Sequence, residues 1–388
     1  MRPITLFQNP QLTFGSGCVE QLEAYLSMRS VEKIYIVGSR SMTKLIERLE
    51  SGITSFGRSV TTDYSCTSEP TIPMFEAACK RAADVGVDCV VGIGGGSVLD
   101  LAKLIAAFTN SGQRVEDAFG VDLLKRRGCH LVCVPTTAGT GSEVSPNAIL
   151  LDEIEHLKKG VVSKFLVPDA AFIDPQLTVT LPATITACTG LDALTHCIEA
   201  YTNKFAHPVI DVYALEGIRL CGKYLLRAIN DGADLEAREG MSMASMFGGF
   251  CLGPVNTAAV HALAYPLGGE FHVPHGLSNA ILLPEVFRFN ISASPERHAE
   301  VARVLGGVES DGAIQTAILG ADKLAALIQN SGILEDPAIS RLDLLAVDRM
   351  ASSAAKVTRL LKNNPRSLTL EDIVGIYMSS FQRLKISA

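Results

Sequence analysis

The stretch Asp88-Cys-Val-Val-Gly-Ile-Gly-Gly-Gly-Ser-Val-Leu-Asp-Leu-Ala-Lys103 decides the fold. Its first six residues are a short apolar run of the kind that forms a strand buried on both faces. Gly94-Gly95-Gly96-Ser97 breaks the run, and Val98 to Phe108 then has the apolar content of a buried helix. Working outward, the rhythm repeats. Lys33 to Ser39 predicts a strand, and Pro70 to Val85 a helix with Ile72, Phe75, Ala78 and Ala82 at helical spacing. Cys129 to Val134 predicts a third strand and Ala170 to Asp174 a further one. Strands alternating with helices predict an α/β N-terminal domain, a Rossmann-like parallel sheet with helices on its faces, over residues 1–181.

The pattern changes at Leu181-Pro182. From there to residue 388 the periodicity is helical, with Pro182 suited to a first turn and Thr369-Leu-Glu-Asp372 to a capped helix start. An all-α C-terminal domain over 182–388 follows, and two domains suit 388 residues at roughly 150 per domain. A cleft between two packed domains is the default place for a site. Met241 to Gly269 carries no Asp, Glu, Lys or Arg, but Gly248, Gly249, Gly253, Pro254 and Asn256 interrupt it. It predicts a pair of buried helices rather than a membrane span.

Composition narrows the function classes. Apolar residues at 47% against charged residues at 19% supply a large core and argue against disorder. A net charge of −7 with no basic run argues against nucleic acid as a partner. The ten cysteines form no CxxC pair and the first residues form no apolar signal segment, which predicts reduced thiols and a cytoplasmic protein.

Two constellations carry chemistry. Gly94-Gly95-Gly96 between strand and helix lets backbone N–H groups approach an anion, and a helix N-terminus adds partial positive charge. Ser97 is the expected cap of a helix starting at Val98, with Asp100 facing back three residues later. The strict G-x-G-x-x-G spacing is absent, so a tight turn without a ligand is the competing interpretation. Thr136, Thr137 and Thr140 crowd a second loop, where hydroxyls bond phosphate or ribose oxygens or merely satisfy a turn. The second constellation is Asp192 and His196, four residues apart on one helical face, with His261 and His275 farther along. Breakers at Gly268, Gly269 and Pro274 allow the chain to bring His275 back toward His261. One carboxylate and three imidazoles suit Fe2+ or Zn2+. An ordinary ion pair and a hydrogen-bonded core histidine are the competing interpretations of the separate pieces, and the joint pattern favours a metal.

In these residues the chain resembles the iron-containing (group III) alcohol dehydrogenase family, of the dehydroquinate synthase-like fold. The resemblance runs nearly end to end, through Phe14-Gly-Ser-Gly17, Gly94 to Lys103, Pro135 to Val144, Asp174-Pro175, Gly190 to His196, His261-Ala-Leu-Ala and Pro274-His-Gly276. It implies an NAD(P)-dependent, metal-dependent alcohol dehydrogenase or aldehyde reductase. The implied metal ligands are Asp192, His196, His261 and His275. Gly95, Gly96 and Ser97 match the family's pyrophosphate contacts, Thr136, Thr137 and Thr140 its second cofactor loop, and Lys159 a lysine near the cofactor ribose. Members commonly form dimers or larger homo-oligomers through their first strands.

Two departures from the family pattern matter. Many NAD-preferring members carry an acid after the first strand, where this chain reads Gly38-Ser39-Arg40. Ser39 and Arg40 suit a 2′-phosphate, which leans the expectation toward NADP. Many members also read His-Ala-x-Ala-His, and here the second histidine is Tyr265. Tyr265 and the nearby His272 are the catalytic candidates, His272 as a proton shuttle. Asn147, Phe247, Leu252 and Tyr265 are expected to line a pocket for a small alcohol, aldehyde or hydroxy acid. The alternatives are a dehydroquinate-synthase-like or glycerol-dehydrogenase-like enzyme on the same scaffold, and a non-catalytic metal- or nucleotide-binding protein.

Overall fold

The structure is a computed structural model that describes residues 2–154 and 157–386. The chain divides into two compact units. One comprises Leu6–Thr137 and Gly141–Val179; the other comprises Met1–Thr5, Ala138–Thr140 and Thr180–Ala388.

The first unit is built on β1 (Gln11–Phe14), β2 (Lys33–Gly38), β3 (Ser59–Asp63), β4 (Cys89–Gly94), β5 (Gly120–Val121), β6 (His130–Pro135), β7 (Asn147–Asp152), β8 (Leu157–Val162) and β9 (Ala170–Ile173). Six of these form the expected parallel sheet, in the order β1-β9-β6-β4-β2-β3. Period-2 alternation assigns the two faces. Tyr35, Val37, Val90, Leu131 and Cys133 point into one apolar core, with Phe75, Ala78 and Ala82 of α3 (Ile72–Val85) and most of α4 (Gly96–Phe108). Ile34, Ile36, Cys89, Val91, Ile93, Val132 and Val134 point into the other, with α1 (Leu22–Ser27) and α2 (Thr43–Ser55). Burial on both faces is why these strands read as continuous apolar runs.

Two features of this unit depart from expectation. β5, β8 and β7 form a separate small sheet in which β7 and β8 run antiparallel. The start of α4 also differs. Gly95 is its N-cap, with no side-chain cap, so Ser97 sits inside the first turn rather than at the cap. Asp100 turns away from the helix start to accept hydrogen bonds from Ser142 Oγ at 2.5 Å and the Ile149 N–H at 3.0 Å. Tertiary donors outcompete the capping box because both belong to the segment that α4 packs against, β7 and the loop before it.

The second unit is helical, as expected. Its helices are α5 (Ala183–Tyr201), α6 (Pro208–Asn230), α7 (Leu235–Leu252), α8 (Ala259–Phe271), α9 (His275–Asn290), α10 (Pro295–Gly306), α11 (Ala313–Asn330), α12 (Val347–Ala354), α13 (Thr358–Leu361) and α14 (Leu370–Arg383). Pro182 is the N-cap of α5, one residue before the first turn. Thr369 and Asp372 make the expected capping box on α14. The uncharged stretch becomes most of α7 and α8, and among the described residues no helix is long and apolar enough to cross a membrane. α5 packs against α6, α7 and α9, and α8 packs against α9, so three helices that carry the candidate ligands share one core. All ten cysteines are free thiols.

Candidate metal centre and nucleotide loops

α5 presents Asp192, His196 and Glu199 along one stripe, at i, i+4 and i+7. All three are buried in a helix that is otherwise mostly apolar. His261 comes from α8. His275 opens α9 after the sharp link His272-Val273-Pro274, in which His272 takes a left-handed φ of 52° as the C-cap of α8. Gly276 allows the last approach: a Cβ there would lie 2.0 Å from the Cys188 carbonyl oxygen, one turn before Asp192. The start of α9 therefore lies directly on α5.

The four side chains converge on Asp192 Oδ1. His261 Nε2 and His275 Nε2 each stand 3.5 Å from it, and His196 Nε2 stands 3.7 Å away. The donor atoms of Asp192, His261 and His275 all lie within 4.8 Å of one another. His196 joins at the edge of this group, its ring stacked on His261 with centroids 4.8 Å apart. Ligands held about 2.1 Å from one tetrahedral ion stand about 3.4 Å apart, so the spacing around Asp192 suits an ion better than direct hydrogen bonds. Nitrogen and oxygen donors of this kind accept Fe2+ or Zn2+.

Two residues without a sequence expectation of their own, Glu199 and Asn279, stand against this cluster. Glu199 Oε2 lies 2.6 Å from His261 Nδ1, and its Oε1 accepts from the Val260 N–H at 2.6 Å. This is the carboxylate–imidazole support common behind metal-bound histidines. Asn279, one turn after His275 on α9, donates from Nδ2 to Asp192 Oδ1 at 2.8 Å. Helical spacing was the available signal for both, since Glu199 extends the Asp192/His196 stripe and Asn279 is i+4 from His275.

The electrostatics are those of a cation-seeking site. Burial pushes the Asp192 carboxyl up, but His196, His275 and His261 outweigh it and hold the group well below the usual carboxylate range. Burial pushes the His261 imidazole down, while Glu199 and Asp192 overcome this and raise it to about 9. Burial lowers His196, with Asp192 opposing. Binding of a cation by such groups would compete with these protons.

The nucleotide candidates sit at the carboxyl ends of three adjacent strands. β2 ends beside β4 with Gly38 opposite Ile93, and β4 ends beside β6 with Gly94 opposite Pro135. Ser39, the Gly95 turn and Thr136 thus leave the sheet side by side, the edge where open α/β sheets bind ligands. Ser39 N–H donates to the Ile93 carbonyl at 2.9 Å, and Thr136 N–H to the Gly94 carbonyl at 3.0 Å. A Cβ on Gly95 would stand 3.2 Å from Thr137 Cγ2. The uncapped first turn of α4, with Gly96 and Ser97 in it, offers N–H groups of the kind that cradle a pyrophosphate. Thr140 belongs to the helical unit. Arg40 is exposed, with its guanidinium 5.7 Å from the Tyr64 ring centroid.

The remaining candidates are more scattered. Lys159 on β8 pairs with Asp152 across the hairpin at 2.7 Å. Tyr265 is half-buried on α8, one turn after His261, whereas the His272 side chain is exposed. Phe247 and Leu252 lie on α7, and Asn147 begins β7. Lys103 has a role that the sequence did not disclose. Fully buried on α4, it donates to the carbonyls of Ser142 at 2.9 Å and Ser145 at 2.8 Å, holding the segment that leaves the threonine loop.

A glycine-opened helix after a parallel strand and a carboxylate–imidazole centre on a helical scaffold define a class, the metal-dependent nucleotide-linked oxidoreductases. Comparison with known proteins narrows it. Residues 9–175 match the family described as iron-containing alcohol dehydrogenase, and residues 186–381 match its C-terminal part. The chain is 35% identical to long-chain-alcohol dehydrogenase 1 of Geobacillus thermodenitrificans, over 95% of this chain and 94% of that protein. It is 31% identical to the NAD-dependent methanol dehydrogenase of Bacillus methanolicus, over 95% and 98% of the two chains. A crystal structure of 1,3-propanediol oxidoreductase superposes with a TM-score of 0.93 at 29% identity, over 98% of this chain and 100% of that one. The protein belongs to the iron-containing alcohol dehydrogenase family and is an alcohol dehydrogenase-type oxidoreductase.

Proposed function

We propose that Asp192, His196, His261 and His275 hold one divalent cation, Fe2+ in preference to Zn2+, and that the protein interconverts a small alcohol and its aldehyde with a nicotinamide cofactor. The single observation that carries this reading is the approach of three imidazole nitrogens to one carboxylate oxygen at 3.5–3.7 Å. When bound at these residues, the cation would supply Lewis acidity toward a substrate oxygen and the nicotinamide would supply hydride-transfer chemistry.

The chain's own residues do the rest. Glu199 holds the His261 ring so that Nε2 faces Asp192. Gly95, Gly96 and Ser97 bind the pyrophosphate through backbone N–H groups, with Thr136, Thr137 and Thr140 bonding neighbouring oxygens. Lys159 serves the ribose, in exchange for part of its contact with Asp152. Tyr265, on the helical face that also carries His261, contacts the alcohol, and the exposed His272 passes its proton to solvent. Phe247 and Leu252, both on α7, bound a partly apolar substrate. The names of the relatives span long-chain alcohols, methanol and propanediol, which supports an alcohol substrate without favouring one chain length.

Ser39 and Arg40 favour NADP, because no acid at this strand end repels a 2′-phosphate. One relative is named as NAD-dependent, so the ratio of kcat/KM for NADP+ and NAD+ is the direct measurement. Arg40→Asp lowers that ratio at least tenfold under this reading. β1 borders the sheet on one side only, and an open edge of this kind supports pairing of two copies.

The central test is metal analysis of protein purified without chelators, together with a scan of alcohols for formation of reduced cofactor. His261→Ala loses both metal and turnover while retaining its circular dichroism. Full metal stoichiometry and turnover in that variant refute the assignment.

A further inference from the structure

We propose that Asn279 is a positioning residue for the metal centre, holding the Asp192 carboxylate through its side-chain amide. The proposal rests on the metal reading above and deepens it.

Asn279 is fully buried on α9, one turn beyond His275. Its Nδ2 lies 2.8 Å from Asp192 Oδ1, 3.2 Å from His261 Nε2 and 3.4 Å from His275 Nε2. The amide nitrogen therefore sits against the same three donor atoms that converge on one another. Asp192 fixes which way the amide faces. Turning it over would bring Oδ1 against a carboxylate oxygen, two acceptors with no proton between them. The orientation has a cost, because Asn279 Oδ1 is buried and finds no hydrogen-bond partner among the described residues. Buried amide oxygens are normally bonded, and an apolar side chain of similar volume would fill this space without that cost. What the amide adds is an N–H on Asp192 Oδ1.

That N–H has two effects. It restrains the Asp192 side chain, so that Oδ1 keeps facing His196, His261 and His275. It also sets an N–H donor, rather than a second acceptor, against the Asp192 carboxylate oxygen. The donor set is thereby held converged before a cation arrives. Supporting groups of this kind typically change metal affinity by about 10- to 100-fold.

The test uses the full-length protein stripped of metal and titrated with Co2+, read by ligand-field absorbance against a competing chelator. Asn279→Leu and Asn279→Ala are each expected to raise the Co2+ dissociation constant by about 10- to 100-fold. Their metal-free forms are expected to melt within a few degrees of the parent. Dissociation constants within threefold of the parent in both variants overturn the proposal. Unfolding of both variants also overturns it, because it assigns Asn279 to the core. Failure of the parent to take up Co2+ overturns the metal reading itself, whereas uptake by the parent with unchanged variants overturns only the role of Asn279.

Discussion

Glu199 Oε2 stands 2.6 Å from His261 Nδ1, and this contact determines that the other ring nitrogen, Nε2, faces Asp192 Oδ1 at 3.5 Å. One carboxylate thus orients an imidazole toward a second carboxylate, an arrangement common behind metal-bound histidines.

Glu199→Gln keeps the shape of the side chain and removes its charge. Metal affinity is expected to fall by about 10- to 100-fold, read by chelator competition. The His261 ring then has a weaker partner on Nδ1, and its Nε2 becomes a poorer donor to the cation. An unchanged metal dissociation constant would show that the Glu199 contact does not reach the centre.

Lys103→Met removes the buried ammonium that donates to Ser142 and Ser145 and that faces Asp100. Carbonyl oxygens lose their donor and Asp100 keeps an uncompensated charge. Unfolding free energy is expected to drop by about 3–5 kcal/mol, seen as a lower urea midpoint of the sheet unit. Under the proposed function, cofactor affinity is expected to weaken in parallel. A midpoint equal to that of the parent refutes this role.

Glu143 makes stability depend on pH in a defined direction. Burial raises its carboxyl from 4.5 to about 7, against the opposing effects of its own backbone N–H and Lys103. The folded protein keeps a proton that the unfolded chain releases, so stability is full below pH 4.5 and declines as pH rises to about 7. The loss from this group is about 3 kcal/mol at its full extent. Glu143→Gln should flatten that slope and melt higher than the parent at pH 8. Equal pH slopes for the two proteins contradict the prediction.

His298 acts with the opposite sign. Burial lowers its imidazole from 6.5 to about 4, with Arg297 adding to the effect and the Ser294 carbonyl opposing it. The unfolded chain takes up a proton that the folded state refuses, so stability is full above pH 6.5 and falls as pH drops toward 4. His298→Asn retains a donor for the Ser294 carbonyl and should lose less stability than the parent between pH 7.5 and pH 5. Urea unfolding at the two pH values decides the matter.

Some elements were legible because burial writes itself into composition. β2, β4, β6 and β9 are apolar runs, since helices cover both sheet faces or neighbouring strands enclose them. Gln11–Phe14 and Ser59–Asp63 gave no such signal, because strands at the two sheet edges keep partial exposure and polar side chains. The β7–β8 hairpin was hidden for a related reason: Leu157–Val162 contains two lysines and a glycine, and its strand character comes from pairing with Asn147–Asp152. Ser97 and Asp100 have the spacing of a capping box, yet Asp100 serves Ser142 and Ile149.

The amino-acid sequence by itself determined the parallel sheet, the helical second half, the glycine turn before α4 and the shared face of Asp192 and His196. All of these depend on short-range periodicity and local backbone freedom. Only the tertiary structure decided how closely His261 and His275 approach Asp192, that Glu199 and Asn279 stand behind them, and that Lys103 holds the segment at Ser142 and Ser145 that follows the threonine loop. These contacts join residues tens of positions apart, and local spacing carries no information about which distant polar group will satisfy a buried charge.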